Sequence, residues 1–159
     1  MVGKTPSSPF WSWALPIVWA LILMTMSGDF GASPNTLPIF KWVLSTFTDL
    51  SPKTIESLHH WFRKSLHVIC YGILAVLWLR ALILTYPERQ GANLILTLLL
   101  TLVVSLLDEG RQSLVRSRTG ALRDVSLDMT GAILFTLAAA RYLKRKVRLS
   151  SEAEESPFS

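Results

Sequence analysis

Four side chains with ionisable or hydrogen-bonding groups follow one another at helical spacing in the middle of the chain. His60, Lys64, His67 and Tyr71 are separated by four, three and four residues. Residues three or four apart lie on one face of an α-helix, so this segment is predicted to present a polar stripe. The imidazole of His67 titrates near neutral pH in water, which makes it a candidate general acid or base.

Two pairs of polar residues at helical spacing follow. Asp108 and Gln112 are four residues apart at the end of an apolar run, so the helix is predicted to continue beyond that run. Asp124 and Asp128, also four apart, begin the next apolar run. Asp124 could simply cap a helix and interact favourably with its dipole. A carboxylate at Asp128, inside an apolar segment, is costly unless it is paired, protonated or in a wet cavity. Three helix ends are thus expected to bring polar side chains together.

The composition indicates whether these helices lie in water or in a membrane. Half of the 159 residues are apolar and 17% are charged, against roughly 25% charged residues in ordinary soluble domains. The basic residues behind the net charge of +5 are dispersed and accompany no nucleic-acid motif. They are interpreted as residues that flank membrane-spanning helices, so no nucleic-acid partner is expected. Cys70, the single cysteine, lies in an apolar run and is given no role.

The apolar runs predict the elements that position the polar stripes. A helix needs about 20 mostly apolar residues to cross a bilayer. Residues 11–27, 65–86, 92–107 and 125–143 meet or approach that length. They must be helical, because every backbone polar group in hydrocarbon needs an internal partner. The sequence therefore predicts an all-α, polytopic membrane helix bundle with about four transmembrane helices.

The remaining segments are predicted from length and composition. Residues 37–44 in the first loop are too few to cross a membrane, and they are predicted to form a short interfacial or re-entrant helix. The first span could instead be a cleaved signal peptide, although its low positive charge fits that class poorly. We expect an N-terminal tail over 1–10, a transmembrane domain over 11–143, and a basic then acidic tail over 144–159. This tail is expected to be disordered from Ser150 onward.

Orientation follows from the distribution of basic residues. Four spans place both termini on one side of the membrane, and the two sides carry equal numbers of lysine and arginine. The basic run 144–148 is not interleaved with acids, whereas the basic residues of the other side are. We therefore expect cytoplasmic termini in a multi-pass protein of the cytoplasmic membrane, with the polar helix ends on the extracytoplasmic side.

Two segments carry a resemblance to a known family. The stretch from Lys64 through His67 to Tyr71 resembles the Lys-x-x-His-x-x-x-Tyr motif of VanZ-like membrane proteins. The family's second motif is matched by Asp108-Glu109-Gly110-Arg111-Gln112, Arg118-Thr119-Gly120, Asp124, Asp128 and Gly131. The chain departs from many members at Asp128, where they carry asparagine, and at Arg63, where they often carry an acid. Gly131 is interpreted as a packing residue.

The resemblance implies an integral membrane protein of the bacterial cell envelope, with relatives associated with resistance to the glycopeptide teicoplanin. Our leading hypothesis is an interfacial pocket that binds a polar lipid headgroup or a lipid-linked glycan. The predicted binding residues are Lys64, His67, Tyr71, Asp108, Glu109, Gln112, Arg118, Asp124 and Asp128. Lys64 and Arg118 would bind phosphate or carboxylate. Asp108, Glu109 and Asp128 would orient these two bases.

Two other functions fit the same residues. A membrane-embedded hydrolase or transferase acting on a lipid headgroup would use His67 and Asp128 as its candidate catalytic residues. Asp124 and Asp128 could share a divalent metal, but the pattern is weak, and neither a metal nor a cofactor is assigned. Alternatively, the charges could form a structural network in a non-catalytic scaffold. The expected partners are membrane lipids or lipid-linked envelope precursors.

Overall fold

The computed structural model describes residues 9–28, 31–113 and 122–155, with side chains from Trp11 to Lys146 within these ranges. The described chain folds into five helices, and no strand occurs in it. They are α1 (Pro9–Met26), α2 (Ser33–Phe47), α3 (Pro52–Thr85), α4 (Gln90–Ser113) and α5 (Leu122–Glu155). The all-α prediction is confirmed. Helix α3 is central, because it packs against each of the other four helices.

Local sequence signals set the ends of α3. The hydroxyl of Ser51 accepts a hydrogen bond from the backbone N–H of Thr54 at 3.3 Å, and Pro52 occupies the first turn. Such a cap satisfies a backbone donor that has no partner within the helix. The helix ends at Thr85, just before the turn that contains Pro87. It therefore begins well before residue 65, where the second apolar run starts, because no helix breaker separates the two points.

Contacts near opposite ends of the helices fix their register. At one end, Trp13 Nε1 donates to Thr85 Oγ1 at 2.9 Å and joins α1 to α3. Beside it, Asn93 Nδ2 donates to the carbonyl of Tyr86 at 2.8 Å. The opposite end carries the polar cluster described below, so we refer to it as the site end. The long helices α1, α3 and α4 thus alternate in direction, and α5 runs parallel to α3.

Glycine permits a close contact between α3 and α5. A Cβ atom added to Gly131 of α5 would lie 2.0 Å from the carbonyl oxygen of Val68 in α3. A Cβ on Gly72 would lie 2.6 Å from the ring of Phe135. Small residues allow helix backbones to approach in this way. The predicted packing role of Gly131 is confirmed, and the contact brings the two helices together beside Asp128.

Helix α4 has an inverted distribution of polarity. Its buried residues are all polar: Asn93, Thr97, Thr101, Ser105, Asp108, Glu109 and Gln112. Its outward face carries large apolar side chains, including Ile95, Leu99, Val103 and Leu107, each more than half exposed. A helix on the surface of a water-soluble domain has the opposite arrangement, with its apolar stripe turned to the core.

The predicted spans can be compared with the helices. Among the described residues, α3 and α4 are long and apolar enough to cross a membrane, while the apolar part of α1, Trp11–Met26, is shorter. The number of spans therefore stays a prediction. Residues 37–44 lie within α2, which buries no residue. The expectation of disorder from Ser150 is wrong as far as Glu155, because α5 continues to that residue without a proline or glycine to end it.

Gly131→Ala is expected to destabilise the fold by about 1–3 kcal/mol, the usual cost of overpacking, because the new methyl group meets the α3 backbone. Gly110→Ala is the matched control, since a Cβ there has no neighbour within 4 Å. Reversible unfolding in mixed micelles measures both free energies. Equal stability of the two variants would contradict the close contact of α3 and α5.

Candidate functional site

Asp108, in the penultimate turn of α4, is the centre of the first part of the cluster. Its carboxylate is 1% exposed and accepts hydrogen bonds from Tyr71 Oη at 3.2 Å and Gln112 Nε2 at 2.9 Å. The hydroxyl of Ser27, just after α1, also donates to it. Arg111 Nη2 lies 3.6 Å away. Helices α3 and α4 and the residue that follows α1 thus supply donors to this carboxylate, which offsets part of the cost of its burial.

Asp128, in the second turn of α5, is the centre of the second part. It is 1% exposed, and its two oxygens accept from His67 Nδ1 at 2.9 Å and Ser105 Oγ at 2.6 Å. An ionised carboxylate only accepts hydrogen bonds, so when Asp128 is ionised the imidazole proton in this contact is on Nδ1, and Nε2 is the ring nitrogen that the contact does not use. The cost expected for a carboxylate inside an apolar segment is therefore reduced by direct partners.

The two carboxylates belong to one cluster. The rings of His67 and Tyr71, which contact different carboxylates, are parallel within 2°, and their centroids are 6.3 Å apart. One turn nearer the site end, Lys64 forms an ion pair with Asp124. Both partners of this pair are partly buried. Asp124 also lies in the first turn of α5, so the dipole interaction proposed for it operates together with the ion pair.

The structure brings most of the predicted site residues together. Those in the hydrogen-bonded cluster are Lys64, His67, Tyr71, Asp108, Gln112, Asp124 and Asp128. Glu109 is buried near the end of α4. Arg118, the predicted anion-binding residue, lies outside the described residues. His60 does not join the cluster, because it is exposed and its ring contacts Trp61.

The predicted orientation of Lys64 requires a correction. We expected Asp108, Glu109 or Asp128 to orient this base, but its ion-pair partner is Asp124. The reason is the parallel packing of α3 and α5, which sets residue 64 level with residue 124 and His67 level with Asp128. The helical spacing within α3 is matched by the spacing of the two acids within α5.

Sequence reasoning missed two residues of the cluster, Ser27 and Ser105. Ser105 had a detectable signal, since it precedes Asp108 by three residues and shares its helix face. Ser27 had none, because it contacts Asp108 only after α1 has packed against the bundle.

An apolar groove adjoins the cluster between α1, α2 and α3. Its volume is about 630 Å³, and Ser27, His67 and Tyr71 are among the residues that line it. Helix α2 forms one wall and is held to α3 by a 3.0 Å contact between Thr36 Oγ1 and His59 Nε2. The ring of Phe40 also packs against that of His59. No group of three or more possible metal ligands occurs within the described residues, and Asp124 and Asp128 have separate partners.

The fold and the cluster together define a class of protein. It is a helical bundle with a largely apolar exterior, and it encloses two buried carboxylates, a histidine and a tyrosine near one end. The family model VanZ/LLP1 matches residues 10–143, so the chain belongs to this family. The resemblance carried by the two motifs is confirmed. No curated protein and no solved structure matches the chain.

Asp108→Asn is expected to lower the free energy of unfolding by about 2 kcal/mol, because the new amide NH₂ meets groups that donate to the carboxylate. Asp49→Asn, the same substitution at an exposed loop residue, serves as the control. Unfolding in mixed micelles provides the measurement. A loss no larger than that of Asp49→Asn would mean that the hydrogen bonds to Asp108 contribute little to stability.

Proposed function

We propose that this VanZ-family protein is a multi-pass protein of the cytoplasmic membrane that binds the polar headgroup of an envelope lipid or a lipid-linked glycan. The observation that carries the proposal is the polar cluster near one end of a bundle with an apolar exterior. Ligand sites combine apolar walls with a few convergent polar groups, and the groove and cluster have that composition.

The distribution of polarity supports the membrane part of the proposal. In water, the exposed leucine, isoleucine and valine side chains of α4 would be unfavourable, and its buried hydroxyl and carboxyl groups would lose their hydration. In hydrocarbon, the same apolar exterior is compatible with its surroundings, and polar side chains face the interior of the bundle. Exposed Trp42 and Trp61 near the site end fit the headgroup region, where tryptophan is enriched.

The position of the cluster supports headgroup binding. It lies near the last turns of α1 and α4 and the first turns of α5, where spanning helices would meet the membrane surface. His67 and Tyr71 contact the buried acids and also line the groove. A ligand in the groove would therefore meet polar atoms whose orientation is already fixed, which lowers the entropic cost of binding. Participation in teicoplanin resistance, through a lipid-linked envelope precursor, belongs to the same proposal.

A second candidate function is hydrolysis or transfer at a lipid headgroup. The specific observation is the contact of His67 Nδ1 with Asp128, which orients the imidazole while its ring lines the groove. A histidine oriented by a buried aspartate is a recurrent general base. The third candidate function is a scaffold that binds no ligand. In that case the contacts of the polar cluster only hold the helices together.

His67→Gln is expected to abolish headgroup selectivity while the protein remains folded. Native mass spectrometry of the purified chain, with lipids of equal chains and different headgroups, measures that selectivity. His60→Gln is the control, because His60 is an exposed histidine on the same helix. Lipid products formed by wild type and not by His67→Gln would favour the enzyme. A wild-type protein that binds all headgroups equally would favour the scaffold.

The orientation predicts which single cysteine an impermeant thiol reagent labels in intact cells. In a Cys70→Ala background, Ser113→Cys lies at the site end, and Lys144→Cys lies ~33 Å along α5 from its start at ~1.5 Å per residue. We expect labelling at residue 113 and protection at residue 144. The reverse result would place the cluster on the cytoplasmic side and exclude extracytoplasmic ligands.

A further inference from the structure

The groove beside the cluster arises from a difference in helix length. Helix α1 ends at Met26, level with Tyr71, whereas α3 begins much farther toward the site end, at Pro52. A face of α3 is therefore left uncovered by α1, and α2 lies across it. The resulting space of about 630 Å³ is lined mainly by apolar side chains, including those of Leu23, Phe40 and Cys70.

The groove is continuous with the apolar exterior of the protein. Met26, Ile39, Val43, Phe62 and Leu66 all line it, and each is between 40% and 65% exposed. These side chains therefore belong both to the groove and to the outer surface. In a membrane, such an opening would face lipid chains or the lower headgroup region. The polar residues among those that line the groove are Ser27, Thr36, His59, Arg63, His67 and Tyr71. Of these, Ser27, His67 and Tyr71 hydrogen-bond to the buried carboxylates.

We propose that the groove holds one hydrocarbon chain of a lipid, with the polar linkage of that lipid at Ser27, His67 and Tyr71. This inference rests on the proposed function and specifies its ligand as an amphiphile bound by chain as well as headgroup. Water in the groove would find few polar partners along the apolar walls. A lipid chain can enter at small cost, because bilayer hydrocarbon is as apolar as the leucine and isoleucine side chains that would surround it.

The cluster residues that line the groove give the binding its direction. An apolar groove alone would accept any chain, since hydrophobic contact is not directional. Ser27, His67 and Tyr71 are oriented by the buried carboxylates, whereas Leu23, Phe40 and Val43 present only apolar side chains, so the polar linkage and the chain of a lipid would occupy different parts of the groove. The groove would thus recognise the hydrocarbon chain of the lipid, and the cluster would recognise its headgroup.

Photocrosslinking tests the proposal. The full chain is reconstituted into vesicles of phosphatidylethanolamine that contain a trace of phosphatidylglycerol with a diazirine near the end of one chain. We expect crosslinks in the segment from Phe62 to Cys70 that unlabelled phosphatidylglycerol competes away. Crosslinks spread without competition over outward residues such as Leu99 and Val103 would overturn the proposal.

Variants that fill the groove provide the second part of the test. Leu66→Trp is expected to reduce the crosslinks in the groove by about tenfold, because an overpacked site excludes the chain. Leu96→Trp is the matched control, since Leu66 and Leu96 are both 40% exposed and only Leu66 lines the groove. If Leu66→Trp does not fold, Val43→Trp is the alternative variant. It fills the groove from α2, and this helix buries no residue. Unchanged crosslinking in a folded groove variant would contradict the proposal.

Cys70 gives a measurement on the unmodified protein. It is the only cysteine and it lines the groove, so a bound chain should slow its reaction with N-ethylmaleimide in detergent. A rate unaffected by saturating phosphatidylglycerol would count against the groove. Diacylglycerol with the same chains separates the two proposals. If both lipids protect Cys70 equally, chain binding in the groove is supported and headgroup binding is contradicted. If the protein selects among headgroups but no lipid protects Cys70, only chain binding in the groove is contradicted.

Discussion

Two carboxylates buried inside a bundle with an apolar exterior impose the main constraint on this structure. Asp108 and Asp128 are almost completely inaccessible, and each would be costly without hydrogen-bond donors. The donors come from different helices, so satisfying the two acids requires α1, α3, α4 and α5 to meet at one end. Removing α3 or α4, or the end of α1 that leads to Ser27, would leave a buried acid with fewer donors. The polar cluster is therefore a requirement of the fold as well as a candidate site.

The close contact between α3 and α5 is the second requirement of the fold. It allows one of the buried carboxylates, Asp128, to reach its partner on α3. Gly131 lets the α5 backbone reach Val68, one residue after His67. At that separation, the short side chain of Asp128 reaches the imidazole directly. The parallel direction of the two helices then aligns Lys64 with Asp124 one turn away. A glycine without any chemistry of its own thus determines which acid contacts which base.

Helix α2 has a different relation to the bundle. It buries no residue and is attached to α3 through the contacts of Thr36 and Phe40 with His59, together with a 2.6 Å ion pair between Lys41 and Glu56. Its apolar side chains instead line a groove and face outward. In the proposed function, this arrangement gives the cluster a lateral entrance for an amphiphile, while the buried carboxylates stay enclosed by the longer helices.

The amino-acid sequence determined the helical class, the polar stripe of α3, the Asp108 and Gln112 pair of α4, and the family, because helical periodicity and motif spacing are local properties. It also identified most members of the cluster. The tertiary structure decided the pairing of Lys64 with Asp124, the contributions of Ser27 and Ser105, and the existence of the groove. These features depend on helix register and on the different lengths of α1 and α3 in space. Contacts between distant segments fix both quantities, and no periodicity within one segment encodes them.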